Sequence, residues 1–188
     1  MTLFNPMMPL NTGKMIYASD SYAVVGQNSN ARMSMLPTAI SGFNGLVKAG
    51  TMTTGSCLRL DGYGLIRARS LTPGTFVFTP TVTPVGGSKV DLHGLTVSPL
   101  IGMAAICELS LFFLQTATGI QTGGVVKYGV QNGTPYSLMI NQPAVGQKPG
   151  IVASDPSVDR IFGADGQWMI ADPDNYVIPS FVIATLFS

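Results

Sequence analysis

Charge is scarce in this sequence. Lys, Arg, Asp and Glu together make up 10% of its 188 residues, against about 25% in an ordinary soluble domain. Ten basic and nine acidic residues are a thin covering for a domain of this size, so much of the surface falls to Ser, Thr, Asn, Gln, Gly and apolar atoms. Surfaces of that kind usually meet something else: sister subunits, a partner or a membrane. Histidine and cysteine are scarcer still. One His and two distant Cys do not make a usual zinc site. Cys57 and Cys107 sit in apolar settings and read as small buried hydrophobes of a reducing compartment, with a disulfide between them left open. A Gly-x-Ser-x-Gly elbow is missing, and neither Gly86-Gly87 nor Gly123-Gly124 sits in the strand–loop–helix frame of a phosphate cradle.

Long apolar runs are also lacking. The most apolar stretch, Val97 to Leu114, is interrupted by Pro99, Gly102 and Glu108 and is at the short limit for a spanning helix. No charged segment followed by an apolar one opens the chain, so the expected start is that of a cytoplasmically made protein. One Trp and six scattered Tyr do not supply the aromatic girdles of an outer-membrane barrel. No basic cluster is dense enough for nucleic acid. The few charges are unevenly placed. Up to Arg69 the chain carries Lys14, Arg32, Lys48, Arg59, Arg67 and Arg69 against Asp20 and Asp61. From residue 155 on it carries Asp155, Asp159, Asp165, Asp172 and Asp174 against Arg160. That asymmetry either sets head-to-tail contacts between identical subunits or is chance placement.

Glycine and proline are plentiful, with 22 and 13 copies, and they cut the chain into short runs rich in Val, Ile, Thr, Phe and Tyr. Ser56–Leu60 and Tyr63–Ala68 read as a hairpin turning at Asp61-Gly62. Thr75–Thr83 alternates, and Pro80 marks it as an edge or bulged strand. A turn at Val85–Ser88 leads to Lys89–Leu95. Ala105–Leu114 places Cys107, Leu109, Leu111 and Phe113 on one face and Glu108 and Ser110 on the other, with a helix capped at Ser98 as the rival. Val125–Val130 and Tyr136–Ile140 pair across Asn132-Gly133, the strongest hairpin marker in the chain. Tyr176–Ile178 and Phe181–Phe187 end it as an apolar strand expected to be buried. Eight to ten short strands predict an all-β fold: a single β-sandwich, jelly-roll or barrel-like domain at 45–188 with a long loop at 141–175, preceded by an extended N-terminal arm at 1–44.

Few residues carry chemistry. Asp91 and His93 share a strand face and could orient a general base, although nothing marks a nucleophile beside them, and a strand-end polar pair is the simpler reading. Asp155, Asp159 and Asp165 lack the rhythm of a calcium loop. The chain therefore reads as no enzyme, with no cofactor and no metal. Six of its ten methionines crowd the first 35 residues. Flexible thioethers suit adaptable contact surfaces, and Met7, Met8, Met15, Met33 and Met35 are the candidate interface residues; core filling is the plainer alternative.

In general character the chain resembles virion structural proteins: jelly-roll capsid subunits, spike proteins and the cement or decoration proteins of bacteriophage heads. The shared features are its length, low charge, short Thr/Gly/Pro-rich strands, extended arm, cytoplasmic start and apolar final strand. The resemblance implies symmetric self-assembly into a homo-oligomer, contacts with sister subunits and another capsid protein, and a place in the virion after synthesis in the host cytoplasm. It departs from small RNA-virus coat proteins in lacking a basic arm, since Met1–Ser34 holds only Lys14 and Arg32. Direct contact with nucleic acid is accordingly not expected, nor is a membrane. The competing reading is a non-catalytic carbohydrate- or receptor-binding β-sandwich, for which Tyr63, Tyr128, Tyr136 and Trp168 are the available aromatics.

Overall fold

The structure, a computed structural model, describes residues 13–19, 28–35, 45–68, 75–92, 94–97, 103–130, 137–140 and 151–188. These form thirteen strands and no helix: β1 (Lys14–Ser19), β2 (Met33–Ser34), β3 (Leu46–Val47), β4 (Cys57–Ala68), β5 (Phe76–Pro84), β6 (Val90–Asp91), β7 (Leu95–Val97), β8 (Met103–Gln115), β9 (Ile120–Val130), β10 (Ser137–Ile140), β11 (Ile151–Val152), β12 (Arg160–Trp168) and β13 (Tyr176–Phe187). The seven-stranded sheet A runs β1-β13-β4-β8-β9-β10 with β11 also on β9. The six-stranded sheet B runs β2-β12-β5-β6, with β3 also on β12 and β7 on β5. Every pairing is antiparallel. The sheets pack face to face, which makes the fold a β-sandwich.

Alternation explains the core. Leu58, Leu60 and Ile66 of β4 and Ala105, Cys107, Leu111 and Phe113 of β8 point inward from sheet A. They meet Phe76, Phe78 and Val82 of β5 and Phe162, Ala164 and Trp168 of β12. Phe113 and Phe162 join the layers edge to face, with ring centroids 5.2 Å apart, a geometry aromatic pairs favour. The face assignment for Ala105–Leu114 holds: positions 105, 107, 111 and 113 are buried, while Ile106, Glu108, Ser110 and Phe112 point outward. The β9–β10 hairpin is present, and its register (Tyr128 opposite Ser137, Val125 opposite Ile140) centres between positions 132 and 133.

Three expectations are corrected. Asp61-Gly62 is not a turn. Residues 57–68 are one strand, flanked throughout by β8 and for most of its length by β13, with Asp61 opposite Ser110 and Ile183. Two ladders outcompete the few local bonds of a two-residue turn. Thr75–Thr83 is not an edge, because β5 lies between β12 and the pair β6/β7. Pro80 is tolerated there because its carbonyl accepts from Leu92 N–H at 2.9 Å on the β6/β7 side. A strand residue's N–H and C=O point the same way, so the missing N–H faces the gap between β6 and β7. Finally, the stretch 141–175 is not all loop: it contains β11 and the nine-residue β12. The inward side chains of β12 are Arg160, Phe162, Ala164, Gly166 and Trp168, a mixture that hides the apolar period.

The C-terminal strand continues through Pro179 with a register shift between Pro179 and Phe181. The bulge moves the inward phase from Val177 to Val182 and Ala184 and brings the Ile178 carbonyl to 2.3 Å from where a Cβ on Gly64 would stand. Glycine is required at 64 by this close approach. Within 1–44, β1 pairs with β13 and β2 pairs with β12, so the described parts of the predicted arm join the chain's own sheets.

Candidate functional site

The two sheets turn very different outer faces to the surroundings. On sheet B, Asp165 and Asp91 form a charged network with the N-terminal segment. Arg32 donates to Asp91 through both terminal nitrogens, at 2.5 and 2.7 Å, and its Nε lies 2.8 Å from Asp165. Lys89 Nζ donates to Asp165 at 2.6 Å. Asp165 is itself buried, as is Thr81, the partner of Asp91 across β5 and β6. Backbone bonds from Asn28 N–H to Asp172 and from Met35 N–H to Ala164 fix the same segment. The fork of Arg32 suits two carboxylates, and its hydrogen bonds hold Asp91 below the usual carboxylate range.

This network accounts for much of the charge asymmetry read from the sequence. Arg32 pairs with Asp165 across the chain, as does Lys48 with Asp159 at 2.8 Å. The basic first third and the acidic last third meet within one chain, so the asymmetry no longer requires a head-to-tail neighbour. Among the eight described Lys and Arg residues, Arg32, Lys48, Arg59, Lys89 and Lys127 lie 2.5–3.9 Å from carboxylate oxygens.

Arg160 is a different case, and sequence reading gave it no role. It is fully buried at the end of the sandwich, where Nη1 donates to Gln115 Oε1 at 2.6 Å and Ser154 Oγ at 3.1 Å. Its Nε and Nη2 have no hydrogen-bond partner among the described residues. The guanidinium lies 5.4 Å from the Phe162 ring centre. Burial lowers its pKa, yet an arginine keeps its proton. The Asp155 charge offsets part of that shift, and a buried cation with unbonded nitrogens is costly.

Sheet A carries a concave, polar outer face. β4, β8 and β9 align outward side chains in three rows: Arg59, Phe112 and Gly123; Asp61, Ser110 and Val125; Tyr63, Glu108 and Lys127. The outer rows carry long side chains, except at Gly123, and the middle row short ones. The result is a trough of about 230 Å³ running across the strands. Arg59 Nε and Ser110 Oγ donate to the Asp61 carboxylate at 2.8 and 2.6 Å. Arg59 lies 5.5 Å from the Phe112 ring centre, and Lys127 is 3.9 Å from Glu108. Tyr63 is 43% exposed. The signal for these residues was present in the alternation of β8, but the trough needs β4 and β9 beside it, and the predicted turn at Asp61-Gly62 would have removed that side.

The sequence candidates fall as follows. Met7 and Met8 lie outside the described residues. Met15 is on β1, opposite Thr185. Met33 packs partly buried against the core and Met35 is 7% exposed within it; Met35 fills the space left by Gly166, where a Cβ would lie 2.5 Å from its sulfur. Trp168 is fully buried and cannot serve in an exposed aromatic platform; Tyr136 and His93 lie outside the described residues. Asp91 is engaged by Arg32. Cys57 and Cys107 are both free thiols. Cys57 sits opposite Leu114, seven positions along β8 from Cys107, which is roughly 23 Å at strand rise and too far to bridge. No cluster of three or more His, Cys, Asp or Glu able to hold a metal, and no helix long and apolar enough to cross a membrane, occurs among the described residues. Compared with protein-family models, curated proteins and solved structures, the chain matches none.

Proposed function

We propose that this chain is a virion structural protein, of capsid, spike or capsid-decoration type, that acts without catalysis by assembling with copies of itself and with another capsid protein. The observation that carries the associative part is the lack of free charge. Five of the eight described cations are spent on carboxylates of the same chain and a sixth, Arg160, is buried. Net charge is +1. Unpaired surface charge is what keeps compact proteins apart, and little of it remains on the Lys and Arg side chains among the described residues. Val85, Ile151, Val158, Met169 and Ile170 meanwhile stand 37–58% exposed, mostly on the loops that close the two ends of the sandwich. The virion assignment rests on general character: a short, charge-poor β-sandwich with Thr/Gly/Pro-rich strands.

Size-exclusion chromatography with light scattering on the full chain tests association. A discrete oligomer that persists on dilution is the expected result, and a stable monomer at micromolar concentration overturns the reading. Mass spectrometry of purified particles from a producing cell tests the virion assignment; it requires the chain at a fixed stoichiometry to the major shell protein.

A further inference from the structure

We propose that the trough on the outer face of sheet A is a binding site for a neutral sugar. The inference does not depend on how the chain assembles. It starts from the three rows. Arg59, Lys127 and Glu108 line the trough, and the largely shielded Asp61 carboxylate is bonded to two of its lining residues, Arg59 and Ser110. Each cation is already beside a carboxylate, so neither an anion nor a cation gains net attraction on entering. The ligand is therefore uncharged. The walls nevertheless carry hydrogen-bonding groups of both kinds: guanidinium, ammonium and hydroxyl donors, and carboxylate and hydroxyl acceptors. Interleaved with them are the apolar surfaces of Phe112, Val125 and the Tyr63 ring. A molecule that matches this has many hydroxyls around its edge and an apolar C–H face, which describes a pyranose.

Size and backbone narrow the class further. About 230 Å³ is below the roughly 300–1,000 Å³ of sites for drug-sized ligands, so the trough takes one ring of a longer glycan. Nothing at Gly123 closes that side: a Cβ there would meet no atom within 4 Å, and the chain of a glycan can leave over it. An extended peptide is disfavoured because peptides add to free sheet edges, and β4 and β8 are paired on both sides along the trough, as β9 is at Val125 and Lys127. The groups are also held in place before any ligand arrives. Asp61 is fixed by Arg59 and Ser110, and its side chain is only 14% exposed. Such preorganisation lowers the ordering cost of binding.

The test is a calorimetric or NMR titration of the full chain with methyl glycosides of glucose, galactose, mannose and N-acetylglucosamine and with their short oligomers. At least one neutral sugar is expected to bind saturably with Kd on the order of 1 mM or tighter, with no loss on adding salt. Tyr63→Ala removes a wall from an exposed position and is expected to weaken binding about tenfold or more, by analogy with other aromatic anchors. Ser110→Phe fills the floor and is expected to abolish binding while circular dichroism stays unchanged; if it disturbs folding, Tyr63→Ala alone decides. The proposal is overturned if no sugar saturates, if both folded variants bind as tightly as the parent, or if the only ligand found is an anion whose binding salt removes. The assembly reading stands or falls separately by light scattering.

Discussion

The outer faces of the two sheets share the same pleat and reach opposite outcomes. Sheet B has the segment 28–35 joined to its end through β2, and the Arg32 side chain of that segment reaches across its outer face from Asp165 on β12 to Asp91 on β6. Its charges are used up in holding that segment down. Sheet A has no such reach across β4, β8 and β9 among the described residues, and its Arg59, Glu108 and Lys127 stand around a trough instead. Composition does not distinguish the faces, since both present Arg, Lys and carboxylates. The difference lies in whether a second segment of chain supplies the partners. Where it does, the face becomes part of the chain's own packing; where it does not, the same residue types remain available to a ligand.

The comparison breaks most severely if the layer joining the faces is removed. Phe113→Ala and Phe162→Ala, one in each sheet, are each expected to cost about 3–5 kcal/mol. A double-mutant cycle in urea should show coupling of about 0.5–1.5 kcal/mol from their ring contact, and strict additivity would mean that the sheets do not lean on each other there. At the end of the sandwich, Arg160→Met should raise stability by about 1–4 kcal/mol, because it replaces a buried cation with two unbonded nitrogens by an apolar side chain. Gln115→Ala should lower stability by about 1–3 kcal/mol by stripping that cation of its amide partner, and thermal melts of both variants decide the point. Within sheet A, Gly64→Ala should destabilise by about 1–3 kcal/mol through its clash with Ile178, whereas Gly123→Ala, over open space, should stay within about 0.5 kcal/mol of the parent.

The covering of sheet B gives a smaller, pH-dependent effect. Asp91 has a folded pKa below its ordinary 3.8, so its bond to Arg32 contributes fully above that value and is lost as pH falls through the depressed one. With Asp91 52% exposed, the contribution should stay below about 1 kcal/mol. Asp91→Asn should remove this part of the stability slope below about pH 4, and an unchanged slope in acid titrations of urea midpoints would show that Arg32 does not hold the segment. The smallest effect concerns the thiols of sheet A. Burial pushes Cys107 up to about 12, and Cys57, half-shielded on β4, is raised less. Iodoacetamide near pH 8 should label Cys57 first and leave Cys107 thiol in the native protein. Labelling of Cys107 at an equal rate would mean that the core opens.

Period-two alternation and turn chemistry made part of this fold legible. Leu109, Leu111 and Phe113 marked β8, and Asn132-Gly133 marked the β9–β10 hairpin, because both signals are local. Pro80 and Asp61-Gly62 misled because their local preferences were overruled. One proline's missing N–H faced a gap in pairing, and one Asp-Gly was flanked on both sides by long ladders. β12 stayed hidden because its inward positions include Arg160 and Gly166, one a cation and the other an empty space filled by Met35. The trough was out of reach for a related reason. Its eight lining residues come from three strands separated in sequence, and only register aligns Tyr63 with Glu108 and Lys127.

By itself, then, the sequence determined that this chain is built of strands, that it is poor in charge, and that it lacks the residues for zinc or a nucleophile elbow. Those properties follow from composition and from the spacing of neighbours along the chain. Tertiary structure alone decided where the charge goes. Arg32 and Asp165 are 133 positions apart in the sequence and 2.8 Å apart in space. Pairing of that range depends on which strands share a sheet and in what register, and no local preference encodes it.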